Sequence, residues 1–371
     1  MQKLYPTLVR LTVALLFLIL LVFALTQARN VLYPLALAIL FAYLLRPVAE
    51  FLERLRVPRI AANLLSILLM AAVVGSVFFF LYNQFSVFTD DFPLLKEQAK
   101  ANIHRLEMGI EATLGISTHQ QHAWLTEQSD AFFNPESGQR MLKFFSATTS
   151  TLVAIFLIPV YIFFLLYYRD KFREFVLQIA PARHHPTTLQ TLEEISTVTA
   201  RYMGGLVMVV AILCVLNSTG LMLIGIRYPI LFGIVSAMIN FIPYFGTLAG
   251  GSIPFLFALL LEDSPRYALW VALFFLLVQF LENNILTPNI VGGQVSINPL
   301  FIILSLLVGA ALWGIPGMFV IVPYLAMFKI VCDHVERLRP VSYLISTHGT
   351  EKHALTWAKI KSVFVRNTAR S

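Results

Sequence analysis

The sequence predicts an all-α membrane protein of about eight transmembrane segments, two of them broken or re-entrant, with an external helical arm between the third and the fourth. Three observations carry this. The 371 residues are 58% hydrophobic and 13% charged, with a mean hydropathy of +0.77, where soluble domains are about 45–50% apolar and roughly 25% charged. The apolar residues gather in long runs separated by short basic loops. Two runs in the C-terminal half exceed a single crossing and carry proline and glycine near their middles.

Residues 11–25 and 31–45 are apolar runs that cover about 22 Å each as helix, short of the roughly 30 Å hydrocarbon core. They predict a tight helical hairpin whose first arm reaches back towards Leu4 with Arg10 snorkelling. Residues 60–82 form a cleaner third span, completing an N-terminal transmembrane unit over 1–82.

Composition changes at residue 83. Within 83–147 the apolar residues Phe85, Phe88, Phe92, Leu95, Ala99, Ile103, Leu106 and Ile110 step by three and four, which marks an amphipathic helix. Pro93 is placed to kink it. Trp124, Phe132, Phe133, Phe144 and Phe145 fall on a returning segment. So short a region makes a small free-standing core. An independent domain and an arm packed on a neighbouring subunit both stay open.

The next unit, 148–202, holds a fourth span (152–168) and a linker. Tyr167 and Tyr168 followed by Arg169, Lys171 and Arg173 fit an interfacial anchor. Leu189, Leu192, Ile195, Val198 and Tyr202 stripe a short surface helix that leads into a fifth span, 203–226. Residues 203–335 are read as the transport core and 336–371 as a basic cytoplasmic tail.

Inside that core, 229–261 and 299–335 correspond to roughly 50 and 55 Å of helix. Both begin with proline. One is interrupted at Ile242-Pro243-Tyr244-Phe245-Gly246, the other at Gly314-Ile315-Pro316-Gly317. Paired Gly/Pro interruptions at matching positions are the best sequence pointer to a transporter site. Each segment is a broken span or a re-entrant hairpin, and charge alone does not choose between them.

Between these segments the run that includes Gln279, Glu282, Asn283 and Asn284 ends in an irregular stretch with Pro288, Gly292 and Pro299. A charge at the bilayer centre costs about 2.5–3.5 kcal/mol on insertion scales, so Glu282 is a candidate proton or cation site. The bland reading is a carboxylate reaching water at the end of its span. Gln279, Asn283, Asn284 and Asn240 are candidates to bind a polar solute or to position Glu282, with interhelical amide contact as the alternative. Pro243, Gly246, Pro288, Gly292, Pro299, Gly314, Pro316 and Gly317 are candidates for freeing pathway backbone. Their alternative is close packing or a hinge. Tyr244, Phe245 and Trp313 are candidate gates, though aromatic residues in apolar runs more often pack. Asn217, Ser218 and Thr219 read as helix–helix contacts.

Topology follows the basic residues. With the N-terminus inside, the 46–59 and 169–183 loops and the tail are cytoplasmic. The 83–147 region, with eight acids and five bases, lies outside. Cys214 and Cys332 sit in apolar runs and read as buried small side chains. His119, His122, His184 and His185 lack a third ligand at zinc spacing, so no metal is expected. The net charge of +7 lies beside spans and not on a soluble face, which argues against nucleic acid. No nucleotide-binding loop or hydrolase signature occurs. A secondary transporter without a cofactor is therefore expected, and not an enzyme.

Pro243-Tyr244-Phe245-Gly246 with Pro254, then Glu282-Asn283-Asn284-Ile285-Leu286-Thr287-Pro288, Gly292, Asn298-Pro299, Gly309, Gly314, Gly317 and Pro323, carry a family resemblance. In order and spacing the chain resembles the autoinducer-2 exporter-like family of bacterial inner-membrane proteins, over nearly its whole length. The resemblance implies export or exchange of small polar solutes, with H⁺ or Na⁺ as a coupling ion in some members, and a homo-oligomer such as a pentamer. Two positions depart from it. Gly205 stands where relatives often have Gln, and Asn298 where they often have His; Asn298 cannot titrate. The reading is a secondary exporter of autoinducer-2-like solutes through the C-terminal segments. The alternatives are a sodium or lithium/proton antiporter using Glu282 and a non-transporting scaffold acting through the 83–147 arm.

Overall fold

A computed structural model describes residues 4–114, 149–241, 246–262, 264–291 and 296–347. The expectations for Pro243, Tyr244, Phe245 and Gly292, for the returning segment of the arm and for the end of the tail lie outside the described residues. Among those described, the architecture is helical, with one isolated bridge between Ile297 and Ser346. Six of the helices are long and apolar enough to cross a membrane.

Helices α1 (Leu4–Gln27) and α2 (Arg29–Arg54) are longer than the apolar runs that announced them. The tight hairpin expected between them does not form. The single joining residue, Ala28, stays near-helical at φ −83° and ψ 10°, too little to reverse the chain, and α1 is exposed along most of its length. Polar flanks extend α2: Arg46 and Glu50, one turn apart, pair at 2.7 Å. Helix α3 (Arg59–Asp90) runs past the expected end of the third span before α4 (Phe92–Leu114) begins. The kink expected at Pro93 is instead a break at Asp91, because proline is accommodated in a first helical turn and not in an interior. The stripe on α3 and α4 packs against this same chain. Leu95 and Ala99 are buried with Leu221, Ile226, Phe232 and Phe257, and Phe85 with Leu81 and Leu231.

Helices α5 (Thr149–Tyr167) and α6 (Arg169–Ile179) follow. The surface helix and fifth span expected as separate elements are one helix of 40 residues, α7 (His185–Ile224). Nothing between them breaks helical geometry, and it stops only at Gly225, whose φ of 91° supplies a left-handed cap.

Helices α8 (Pro229–Ile239) and α9 (Gly246–Leu261) fold back on one another. Ser236 Oγ donates to the Gly250 carbonyl at 2.5 Å, and at the open end the Arg227 amide donates to Glu262 Oε1 at 2.9 Å. Next comes α10 (Pro265–Leu281), which continues into a π-wound stretch, Glu282–Val291. The irregular turn expected at Pro288 is therefore helical, and the run does not end near Glu282. A wider winding relieves the clash between a proline ring and the preceding turn.

Helices α11 (Pro299–Trp313) and α12 (Ile315–His334) make a second hairpin. Its turn is Gly314, at φ 66° and ψ −140°, a conformation open to glycine and costly for other residues. Pro316 then starts α12 in its first turn. Gly309 and Gly317 bring the two backbones together: a Cβ on Gly317 would lie 2.0 Å from the Gly309 carbonyl oxygen. A short helix, α13 (Arg339–Ile345), folds over the start of α11, where the Asn298 amide donates to the Ile345 carbonyl at 2.7 Å.

Side-chain contacts sort the connections into two ends. At one end Arg169 pairs with Glu53 at 2.5 Å, Arg59 with Asp170 at 2.7 Å, and His334 contacts Glu194 at 3.4 Å. At the other, Tyr228 bonds Asp91, Arg227 bonds Gln98, and Asn102 Nδ2 donates to the carbonyls of Leu260 and Glu262 at 3.2 and 2.9 Å. Each interrupted segment starts and finishes at one end. The 27-residue stretch Pro265–Val291 crosses between them.

Candidate functional site

Four helices deliver polar groups to one point, each by helical spacing. On α10 and its π continuation, Phe275, Val278, Gln279 and Glu282 recur at i, i+3, i+4 and i+7 and so share a face. Leu213 and Asn217 present one turn of α7, and Ser236 and Asn240 the last turn of α8. Gly250 and Gly251 of α9 close the wall. The glycines are needed for closeness: a Cβ on Gly250 would lie 2.6 Å from the Ser236 carbonyl oxygen. The cavity enclosed is about 10 Å³, on the order of the room one water needs.

Glu282 and Asn240 are each only 9% exposed. Asn240 Nδ2 donates to Glu282 Oε1 at 2.7 Å. The second carboxylate oxygen, Oε2, is buried without a partner, as is Asn217 Oδ1. Among the described residues, no Lys or Arg lines the cavity. A carboxylate buried without a basic partner is costly as a bare charge. The free oxygen has room beside it for a proton, a cation or a hydrogen-bonding water, and the unpartnered amide oxygen of Asn217 is a further acceptor in the same lining.

The structure brings together three of the five polar candidates: Glu282, Asn240 and Gln279. Asn283 and Asn284 are exposed, and Asn284 Nδ2 folds back onto the Phe280 carbonyl at 2.8 Å. They fall on the opposite side of the helix from the cavity because neighbours of Glu282 in sequence are not its neighbours on a helical face. Gly246 is buried, and a Cβ there would lie 2.2 Å from Asn240 Cα. Pro288 and Pro299 are exposed, Pro299 in the first turn of α11. Asn298 caps that helix, its Oδ1 accepting from the Leu300 amide at 3.0 Å. Gly314, Pro316 and Gly317 shape the second hairpin and do not line the cavity. Trp313 Nε1 donates to the Leu25 carbonyl at 3.0 Å, which ties the hairpin tip to α1.

Sequence reading missed Ser236, Gly250 and Gly251, and assigned Asn217 to helix contact alone. The i, i+4 pairs Leu213/Asn217 and Ser236/Asn240 were the available signal. Also missed was the contact that joins the two hairpins. The rings of Phe241, next to Asn240, and Phe319 of α12 meet edge-on with centroids 5.7 Å apart.

A multi-spanning helical bundle with two folded-back helix pairs and a buried polar centre defines an integral membrane transport protein. Residues 13–337 match the AI-2E family transporters, and the chain belongs to that family. It is 27% identical over 320 residues to YrrI of Bacillus subtilis, covering 84% of this chain and 88% of the relative. It is also 26% identical over 356 residues to YueF of the same organism, covering 88% and 93%. Both relatives are named for transport without a stated substrate. To the Escherichia coli protein named AI-2 transport protein TqsA the identity is 23% over 331 residues, covering 87% and 92%. At Gly205 an added Cβ would lie 3.0 Å from the Ile290 carbonyl oxygen.

Proposed function

We propose that this protein is a secondary transporter of the bacterial inner membrane that moves small polar solutes through the 203–335 core, with Glu282 as its ion-coupling group. One observation carries the coupling role: Glu282 lines a water-sized cavity, and its Oε2 is buried and unpartnered. A proton or monovalent cation taken there neutralises the centre, and releasing it restores a charge that the apolar surroundings disfavour. The Phe241–Phe319 contact gives the two hairpins a shared joint, so a change at Asn240–Glu282 reaches α12. Alternating access by movement of the hairpins against α2 and α7 is the cycle that fits. A water-sized cavity does not hold a solute, so the solute path opens only in another state of that cycle.

Export of an autoinducer-2-like solute is the favoured substrate reading. It rests on the family and on the name of the Escherichia coli relative. The test is efflux of a labelled furanone-type solute from loaded vesicles, with and without the protein and with Glu282→Gln. Efflux no faster than from empty vesicles removes the export reading.

Sodium or lithium/proton exchange is the second reading. The cavity size favours it, since about 10 Å³ suits an ion and not a sugar-like solute. Vesicles carrying a pH gradient separate the two readings. Collapse of the gradient on adding Na⁺ or Li⁺, lost in Glu282→Gln, supports exchange; an unchanged gradient rejects it. Cytoplasmic placement of both termini and assembly into a homo-oligomer belong to this proposal.

A further inference from the structure

At the end of the molecule where α2 meets α3, an open-sided groove of about 510 Å³ lies between the start of α3 and the α5–α6 junction. Pro58, Arg59 and Ile60 form one wall; Tyr167, Tyr168 and Lys171 form the other. The walls are clamped together. Arg59 Nη1 bonds Asp170 at 2.7 Å and Nη2 the Leu166 carbonyl at 3.3 Å, while Arg169 bonds Glu53 at 2.5 Å. These bonds neutralise Glu53 and Asp170. Lys171 is left with no carboxylate partner among the described residues, its ammonium 5.8 Å from the Tyr168 ring centroid.

Helix α6 leaves this groove with no buried residue. Phe172, Phe175 and Ile179, at i, i+3 and i+7, are 50%, 58% and 69% exposed on one face. Lys171 and Arg173 flank that face, and Arg54 and Arg56 stand exposed on the neighbouring connection. A short amphipathic helix with bare aromatics and basic flanks lies flat in a bilayer interface. It continues directly from α5, so the groove opens at headgroup depth, where tyrosines and basic side chains sit.

We propose that this groove binds the headgroup of an anionic phospholipid, with α6 resting on the same leaflet. Lys171 and Arg173 supply the charge to the phosphate, the tyrosine hydroxyls supply donors, and the exposed phenylalanines of α6 lie along the acyl chains. The excess of basic over unpaired acidic groups selects an anionic lipid over a zwitterionic one.

The test uses the full chain in neutral detergent, titrated with phosphatidylglycerol, phosphatidylcholine or inorganic phosphate, with bound molecules counted by native mass spectrometry. Phosphatidylglycerol is expected to bind ahead of phosphatidylcholine. Lys171→Gln with Arg173→Gln should weaken it roughly 25-fold, at about fivefold per charge removed, and Lys171→Arg with Arg173→Lys should restore it. Equal retention of the two lipids, or no weakening in the neutralised variant, overturns the proposal. So does phosphate binding as tightly as the lipid, which would show a free-anion site. None of these results bears on transport through Glu282.

Discussion

Asn240 and Glu282 lie 42 residues apart in sequence and share a buried hydrogen bond of 2.7 Å that joins the first hairpin to the crossing helix. Removing the two partners has different consequences. Glu282→Gln keeps the shape and the acceptor for Asn240, so the protein should fold normally and lose ion-coupled transport. Asn240→Ala leaves both carboxylate oxygens unpartnered and should cost about 1–3 kcal/mol of stability. Thermal unfolding in detergent, set beside vesicle transport, checks both. A Glu282→Gln protein that transports with wild-type pH dependence would remove the coupling role.

The two glycines of the second hairpin predict contrasting substitution series. At Gly317 an added Cβ meets the Gly309 carbonyl oxygen at 2.0 Å, whereas at Gly314 nothing lies within 4 Å and the obstacle is φ 66°. Gly317→Ala should cost about 1–3 kcal/mol by overpacking, and Gly317→Leu clearly more. For Gly314→Ala the strain is about 1–3 kcal/mol, and Gly314→Leu should add little because the space is open. Unfolding midpoints of the four variants decide the matter; similar ranking at both positions contradicts the hairpin geometry.

Sidedness follows from the crossing of Pro265–Val291. From Ser264 to Asn289 the helix is about 37 Å long, more than the roughly 30 Å hydrocarbon core. Ser264→Cys and Asn289→Cys should therefore react with a membrane-impermeant maleimide from opposite sides. Because the Arg227 amide bonds Glu262, Ser264→Cys should label from the same side as Arg227→Cys. Labelling of the two from opposite sides would mean that the first interrupted segment is a through-span.

The Arg59–Asp170 pair predicts a small acid-dependent effect. The hydrogen bond from Arg59 holds the Asp170 carboxyl below its ordinary range, with the Arg59, Arg169 and Arg46 charges adding to it against a modest desolvation. A carboxyl whose folded value is lowered contributes stability above its unfolded value, near pH 4, and loses it as pH falls through the folded value. Asp170 is 73% exposed, so solvent screens the pair and it is worth about 0.2–1 kcal/mol. Asp170→Asn should thus unfold slightly earlier than wild type at pH 7 and indistinguishably near pH 2. A difference that grows on acidification contradicts this account.

The helical class and the two interrupted segments were legible because each depends on local pattern. Run length, Gly/Pro placement and apolar steps of three and four are written along the chain. Boundaries were less legible. Helix α7 reads as two elements because its first half is polar and its second apolar, yet the backbone records no difference. Pro288 reads as a break, but its residues stay wound because a wider turn accommodates the ring. Half of the site was similarly hidden. Asn283 and Asn284 look like companions of Glu282 because they adjoin it, and helical rotation sends them to the outside. Asn217, Ser236 and Gly250 look ordinary until three helices bring them together.

The sequence by itself determined that this is a membrane-spanning helical protein, that the last third interrupts its own helices, and that Glu282 sits within an apolar run. Those follow from transfer free energy and backbone geometry, which act residue by residue. Only the tertiary structure decided that the helices on either side of each interruption fold back on one another and that Asn240, and not Asn283, holds the carboxylate. Which side chains meet is set by the face each helix presents and by how closely glycines let backbones approach, and those are properties of pairs of helices rather than of any one stretch.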